Sequence, residues 1–503
     1  MSDPIRHVVV LMLENRSFDH LLGDLDQRLP KLEGVKNAQV YALRHPSLIP
    51  GDPEPVPFRA NALRSLDAKA LGERASFDPH HEFVDVKAQL GGNLDLPVMN
   101  GFVANAYQAY KEKFNPKTLR SSVSQAMAYF PADASSQGAI PALQGLAQEY
   151  VVCDHWFSSI PGPTWPNRFF ALAGTTKGNL RMPEGVETVG ALFRNYNMPT
   201  IFNRLNDAGK RSRIYFHDVS LSLLLRQTWG IPALRHRFSS FAEDVARAKP
   251  DDFPEFVFIE PRFFQIPLSD KPNDQHPPHD IGLGDRLVAD VYAALSGNRA
   301  LWEQTLLVVL YDEHGGFFDH VEPPGTVPPD DFVAPRGPDG DLGFGFDRLG
   351  VRVPAVLVSP WLKPGVDATV YDHSSLLAYL CNKWQLPALG ARCRSEMDKQ
   401  PFAGLFQASP RADAPALSIR DIGDEQALSA ANETPIEPNG NQLALGHLVD
   451  FLAAYLKVED AASEKRALSM DESERGARLL ELVDGIEAKL NEQAQPGGIQ
   501  AGA

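Results

Sequence analysis

Residues 305 to 321 read TLLVVLYDEHGGFFDHV, and the architecture follows from this one stretch. From Thr305 to Tyr311 the run is apolar and β-branched, without the alternation of a half-exposed strand. An unbroken run of this length belongs to a strand covered on both faces. Polar chemistry begins at the next residue, with Asp312, Glu313 and His314, then Gly315-Gly316, Phe317-Phe318, Asp319 and His320. Five ionisable residues so close together repel one another unless a cation or a network of partners holds them. The glycine pair permits a tight turn and a close approach of backbone. The alternative, a solvated loop, leaves the glycines and the aromatic pair without a role.

The same grammar recurs at the other end of the chain, where HVVVLML (7–13) is followed at once by Glu14-Asn15. Segments 256–259 and 353–359 are two more apolar runs, and all four read as buried parallel strands separated by helices and loops. In an open α/β sheet the ligand site lies beyond the carboxyl ends of the strands. That rule gathers Glu14-Asn15 and Asp312-Glu313 into one crevice. Pro- and Gly-rich stretches at 50–57, 271–284 and 323–343 read as functional or flexible loops. From about Pro410 the character changes. Residues 406–440 read as a linker or extended wrap, and 447–458 and 471–493 have helical spacing. We divide the chain into 1–405, a catalytic α/β domain, and 406–503, a linker and C-terminal helical appendage.

Of 503 residues, 43% are hydrophobic and 22% charged, which excludes a disordered, collagen-like or membrane-spanning chain. The net charge of −16, from 48 basic and 64 acidic residues, repels phosphate backbones and disfavours nucleic-acid binding. It also argues against docking to anionic lipid through a polybasic patch. A phosphorylated substrate stays compatible, because a metal can supply local positive charge. Cys153, Cys381 and Cys393 form no metal spacing and no even-numbered disulfide framework, so reduced thiols are expected, with a Cys381–Cys393 bridge as the alternative. The apolar run at 8–13 is too short for a signal peptide and no cleavage site follows it. No segment approaches the ~18–20 apolar residues that span a bilayer. A cytoplasmic location, a trimmed signal, or export without a cleavable signal are the expectations.

Several residues carry candidate chemistry. Glu14 and Asn15 offer two hard oxygen ligands, suited to Mg, Mn or Ca, while a carboxylate also serves Zn or Fe. A polar strand end with a helix N-cap is the competing reading. In IPGPTWPNR (160–168), Thr164 sits in a turn between prolines. A metal-bound hydroxyl can be deprotonated near neutral pH, and Arg168, four residues on, could steady a phosphoryl oxygen bidentately. An ordinary loop with a helix N-cap is the alternative. The spacing T-x-P-x-R resembles the C-x-P-x-R segment of sulfatases, whose Cys becomes a formylglycine hydrate. Threonine cannot undergo that conversion, which favours direct attack by the hydroxyl. His80 and His81 (FDPHHEF), His217 (IYFHD), and His276 and His279 (QHPPHD) can hold a leaving-group proton or bind a phosphate oxygen, or can be packed or exposed histidines. Phe263-Phe264 and the segment from Leu223 to Leu234 read as core in preference to lipid-facing.

Taken in order, HVVVLMLENRSFDHLLG, GPTWPNR, HPPHD and YDEHGGFFDHV resemble the bacterial phosphoesterase family that contains phosphatidylcholine-hydrolysing phospholipases C and acid phosphatases of the AcpA type. The resemblance spans roughly residues 5 to 375. It implies an alkaline-phosphatase-like α/β fold, a central mostly parallel sheet with helices on both faces. It implies a divalent metal held by Glu14, Asn15, Asp312 and Glu313, with Thr164 completing the site as nucleophile. It implies that His217, His276 and one of His80 or His81 line the phosphate pocket. Thr164 and Asp312-Glu313 replace the serine and paired aspartates of the acid-phosphatase branch, which is closer to the phospholipase C branch. A phospholipase C acting through a phosphothreonine intermediate is therefore expected, with a broad acid phosphatase on phosphomonoesters as the alternative. A non-catalytic phosphate- or metal-binding protein is a third reading, and His276 is the expected proton donor to the leaving alcohol.

Overall fold

A computed structural model describes residues 3–38, 42–43, 56–60, 77–132, 140–265, 271–334, 343–413, 415, 438–458 and 472–493. Eight strands form the central sheet: β1 (His7–Leu13), β2 (Val151–Cys153), β3 (Ser212–Phe216), β4 (Arg235–Arg237), β5 (Phe256–Glu260), β6 (Thr305–Tyr311), β7 (Ala355–Val358) and β8 (Gly365–Asp367). Their spatial order is β8-β2-β7-β6-β1-β5-β3-β4. The two long apolar runs, β1 and β6, lie side by side near the middle, and every residue of both is buried. Helices therefore cover both faces of the sheet.

All neighbouring pairs are parallel except those of β7, which runs antiparallel to both β6 and β2. This corrects the parallel reading of 353–359. Parallel pairing needs a crossover that returns the chain to the starting edge of the sheet, usually through a helix. After Tyr311 the described chain forms no helix before β7, so it re-enters the sheet from the end it had left. The flanking strands β2, β3, β4 and β8 are only three to five residues long, and β3, β4 and β8 are not continuously apolar.

On one side of the sheet α1 (Pro141–Glu149) packs with α2 (Ile281–Gly297). Asp285 of α2 accepts from the first free N–H groups of α1, Ala142 at 2.9 Å and Leu143 at 2.8 Å. That partly neutralises a helix N-terminus buried in the core. Elsewhere α3 (Thr164–Ala173) packs with α4 (His373–Trp384). The C-terminal region contributes α5 (Gly440–Tyr455) and α6 (Glu472–Gln493), which pack on each other. α5 starts seven residues before the expected 447 because Asn439 and Gln442 form a reciprocal cap, with contacts of 2.9 and 2.8 Å. Its Ala444, Leu445, Leu448 and Leu452 join the same core as the sheet, as do Val483 and Ile486 of α6. Most of the expected linker (416–437) and part of the 50–57 and 323–343 loops lie outside the described residues.

Leu223, Leu234 and Phe263 are core residues. The three cysteines are buried and unbridged, so the Cys381–Cys393 alternative is not formed. No helix of the described residues is long and apolar enough to cross a membrane.

Candidate active site

Leu13 of β1 pairs with Tyr311 of β6, so Glu14 and Asp312 leave adjacent strands at the same level. The Asp312 N–H donates to the Leu13 carbonyl at 3.2 Å, and the Asn15 N–H donates to Asp312 Oδ1 at 3.0 Å. Asn15 has a φ of 57°, a left-handed conformation that asparagine tolerates better than most residues. Gly315 explains how two loops fit so tightly. Its φ is 63°, and a Cβ there would lie 2.1 Å from the Asn15 carbonyl oxygen. Gly316 does the same for a third segment, since its Cβ would lie 2.7 Å from the His80 carbonyl. The glycine pair thus lets 14–15, 79–81 and 313–316 share one crevice.

Thr164 enters the crevice as the first residue of α3. Asn167 fastens the preceding turn to the helix, accepting from the Ile160 N–H at 3.1 Å and donating to the Gly162 carbonyl at 2.9 Å. The Thr164 hydroxyl, 1% exposed, donates to Asn15 Oδ1 at 3.2 Å. One turn on, Arg168 lies between the two strand-end acids. Its Nε meets Asp312 Oδ2 at 2.9 Å and its Nη2 meets Glu14 Oε1 at 3.1 Å. Expected to steady a phosphoryl oxygen, Arg168 has two nitrogens engaged by carboxylates, and Nη1 alone has no partner.

Burial raises the pKa of Glu14 well above its ordinary value, against the pull of Arg168. Burial likewise lifts Asp312 to about 6, with Arg168 opposing and Glu313 adding to the rise. Desolvation would lower Arg168, but Glu14 and Asp312 more than compensate and its pKa is raised. Glu313 is fully buried; its Oε2 accepts from the Gly315 N–H at 2.8 Å, and its Oε1 has no hydrogen bond. Glu14 Oε2 and Asp274 Oδ2 are also buried without a partner. Buried carboxylate oxygens without donors are costly unless a cation meets them.

The histidine doublet divides. His80 is exposed and turns toward Asp85, with Nδ1 3.9 Å from its carboxylate. His81 turns inward, with Nε2 3.0 Å from the Asn15 amide nitrogen and 3.9 Å from Glu313 Oε1. Burial disfavours its charged form, but Glu313 and Asp78 outweigh that and raise its pKa to about 9. The His276 ring lies 5.7 Å from that of His81. Its Nδ1 donates to the Pro277 carbonyl at 2.6 Å, which leaves Nε2 as an acceptor. Burial, then His81, lowers its pKa well below the ordinary value, which favours the neutral ring. A donor role for His276 therefore begins with proton uptake. His279 is tied to Asp274 at 2.6 Å. His217 lines a cavity of about 400 Å³ with Arg237, Phe238, Arg262 and Asn273. Its Nδ1 donates to the Glu260 carbonyl at 2.9 Å, and burial lowers its pKa to about 3.

Oxygens of Glu14, Asn15, Thr164, Asp312 and Glu313 line the crevice, and the orphaned Glu14 Oε2 and Glu313 Oε1 are hard donors of the kind a divalent cation takes. A second acidic cluster, Asp19, Asp319 and His320, brings three ligand atoms within 4.8 Å of one another. Arg352 already occupies it, donating to Asp19 Oδ1 at 3.0 Å and to Asp319 Oδ1 at 2.8 Å. Sequence reasoning had no signal for Arg352, for Asp274, or for Asn441 of α5, which donates to Glu14 Oε1 at 2.8 Å. The asparagine is seen only once the chain is folded.

A buried hydroxyl at a helix start, facing hard-oxygen ligands at the carboxyl ends of a mostly parallel sheet, is the equipment of a phosphoric ester hydrolase. The chain belongs to the Phosphoesterase family, whose pattern matches residues 5–387. It is 33% identical to non-specific phospholipase C3 of Arabidopsis thaliana over 493 residues, 92% of this chain and 87% of that one. It is 36% identical to non-specific phospholipase C6 of the same plant, over 85% of this chain and 77% of that one. Phospholipase C B of Mycobacterium tuberculosis is 28% identical over 76% and 74% of the two chains. Among solved structures, an alkaline phosphatase superfamily protein from Vibrio parahaemolyticus is 13% identical, with a TM-score of 0.31 over 51% of this chain and 64% of that one. Likeness at that level carries no argument about chemistry.

Proposed function

We propose that the protein is a phospholipase C that splits phosphatidylcholine-type lipids into diacylglycerol and phosphocholine. The observation that carries this is the Thr164 hydroxyl, buried and donating to Asn15 at the ends of β1 and β6. Support for the lipid comes from the relatives' names and from Thr164 and Glu313 in place of serine and aspartate.

In this reading the Thr164 oxygen attacks phosphorus in line. A bond forms from Oγ to phosphorus as the bond to the glycerol oxygen breaks, leaving the headgroup phosphate on Thr164. The hydroxyl proton is lost, and the departing glycerol oxygen gains one. His81 and His276 are the proton carriers of the crevice. Water then breaks the threonine–phosphorus bond from the opposite side, phosphocholine leaves, and Thr164 regains its proton. Asn15 orients the hydroxyl, and Arg168 orders Glu14 and Asp312 while keeping Nη1 for a phosphoryl oxygen. The start of α3 favours the negative charge that develops there. Glu14, Asn15, Asp312, Glu313 and Thr164 would hold a divalent cation, which would acidify the hydroxyl and offset phosphoryl charge. Residues 1–405 form the catalytic domain, and the helical region of 406–503 docks on it.

The test compares phosphocholine release from phosphatidylcholine vesicles with phosphate release from a soluble chromogenic monoester. The proposal expects the lipid to be the better substrate and Thr164→Ala to lose at least about a thousandfold in both. A clear preference for the monoester makes the enzyme an acid phosphatase. A folded Thr164→Ala protein of near-normal activity removes the covalent mechanism.

A further inference from the structure

Asn441 lies beyond residue 387, where the family match ends, yet its amide reaches the crevice. We propose that Asn441, delivered by α5, is a positioning residue that sets the rotation of the Glu14 carboxylate. The inference rests on the active-site reading above. Asn441 is 4% exposed. Its Nδ2 donates to Glu14 Oε1 at 2.8 Å, and its Oδ1 accepts from Trp165 Nε1 at 2.8 Å. A carboxylate only accepts and an indole N–H only donates, so these two partners allow the amide one orientation. One side chain therefore links the residue before Asn15 to the residue after Thr164.

The two oxygens of Glu14 are treated differently. Oε1 takes donors from Asn441 and from Arg168, at 2.8 and 3.1 Å, while Oε2 is buried with no hydrogen bond. The terminal torsion of a glutamate is broad and roughly two-fold, so the backbone alone does not choose which oxygen faces the ligand. Asn441 and Arg168 choose it, leaving Oε2 as the oxygen that would meet a cation. The helix is held firmly enough for this. Asn439 caps it, Gln442 Nε2 donates to the Phe263 carbonyl at 2.6 Å, and Leu445, Leu448 and Leu452 are buried.

The experiment measures kcat, KM and melting temperature for phosphocholine release by Asn441→Leu, Asn441→Asp and Leu448→Ala. Leucine keeps the bulk and removes both hydrogen bonds. Aspartate keeps the acceptor for Trp165 and sets a like charge against Glu14. Leu448→Ala loosens the same helix without touching Glu14. The expected result is a loss of at least about tenfold in kcat for both Asn441 variants, with KM within about twofold, since an interaction that serves the reacting state lowers kcat. Leu448→Ala is expected to lower the melting temperature and leave the kcat of the folded enzyme unchanged. Should leucine and aspartate prevent folding, Asn441→Ser is read by the same criteria. A folded Asn441 variant with normal kcat overturns the proposal, and so does a Leu448→Ala loss in kcat equal to theirs. Thr164→Ala is run alongside. Persistent turnover there sinks the active-site reading itself, whereas a dead Thr164→Ala beside a normal Asn441 variant sinks only the positioning role.

Discussion

Two buried ionic clusters sit close together, built from the same two strings of sequence, and they do opposite things. In each, one buried arginine joins two acids that are about 300 positions apart: Arg352 joins Asp19 and Asp319, and Arg168 joins Glu14 and Asp312. The first cluster is closed. His320 adds a second cation, with Nδ1 2.6 Å from Asp19 and Nε2 3.1 Å from Glu33, and Arg352 spends its remaining donor on the carbonyls of Glu33 and Asp154 at 2.9 and 2.7 Å. The second cluster is open. Glu313 joins it, oxygens of Glu14 and Glu313 lack donors, and a hydroxyl faces in through Asn15. The first network is balanced, whereas the second has orphaned carboxylate oxygens, and it is there that we propose the chemistry takes place.

The contrast can be broken most severely at Arg352. Arg352→Leu leaves Asp19 and Asp319 buried without their main partner, and about 3–5 kcal/mol of stability should be lost, read by chemical denaturation. Activity should fall only as far as the protein unfolds. Gly315→Ala attacks the open cluster instead. The strained φ and the collision with Asn15 should cost about a hundredfold in turnover, because small misplacements of reacting groups have effects of that size. Unchanged kcat in a folded Gly315→Ala protein would remove the argument for close approach.

Removal of divalent ions by chelation should abolish turnover and lower the melting temperature, and restoring them should reverse both. Ligand linkage of about 2.7 kcal/mol is reached at a hundredfold excess over Kd. The shift should vanish in Glu14→Gln and survive in Asp319→Asn. The smallest effect is pH-dependent. Burial opposes the charge on His320, but Asp19 outweighs it and raises the pKa from 6.5 to about 9. A raised pKa means that the stabilisation is complete below 6.5 and is lost as pH rises through about 9. The stability gap between wild type and His320→Asn should therefore be widest near pH 6, on the order of 1–2 kcal/mol, and shrink toward pH 10. A gap that widens with pH contradicts the assignment.

Much of this was legible in the chain because it is local. β1 and β6 announce themselves as unbroken apolar runs, and the acids that follow them are adjacent in sequence. Gly315-Gly316 was readable as a close approach, although which segment approaches depends on register. The doublet His80-His81 could not be divided, since adjacent residues differ only in the direction the folded backbone gives them. Arg352 and Asn441 were invisible for a related reason. Each is a single residue in an unremarkable segment, and each acts on an acid that the fold brings over from hundreds of positions away. β7 reads as a strand, but its direction depends on a connection that the pattern of apolar residues does not encode.

The open cluster, not the closed one, is the one expected to take the cation. Anomalous scattering from crystals grown with Mn²⁺ answers this directly. A peak bounded by Glu14, Asn15, Thr164 and Asp312 is the expected result. A peak at Asp19, Asp319 and His320, with none beside Glu14, would contradict it.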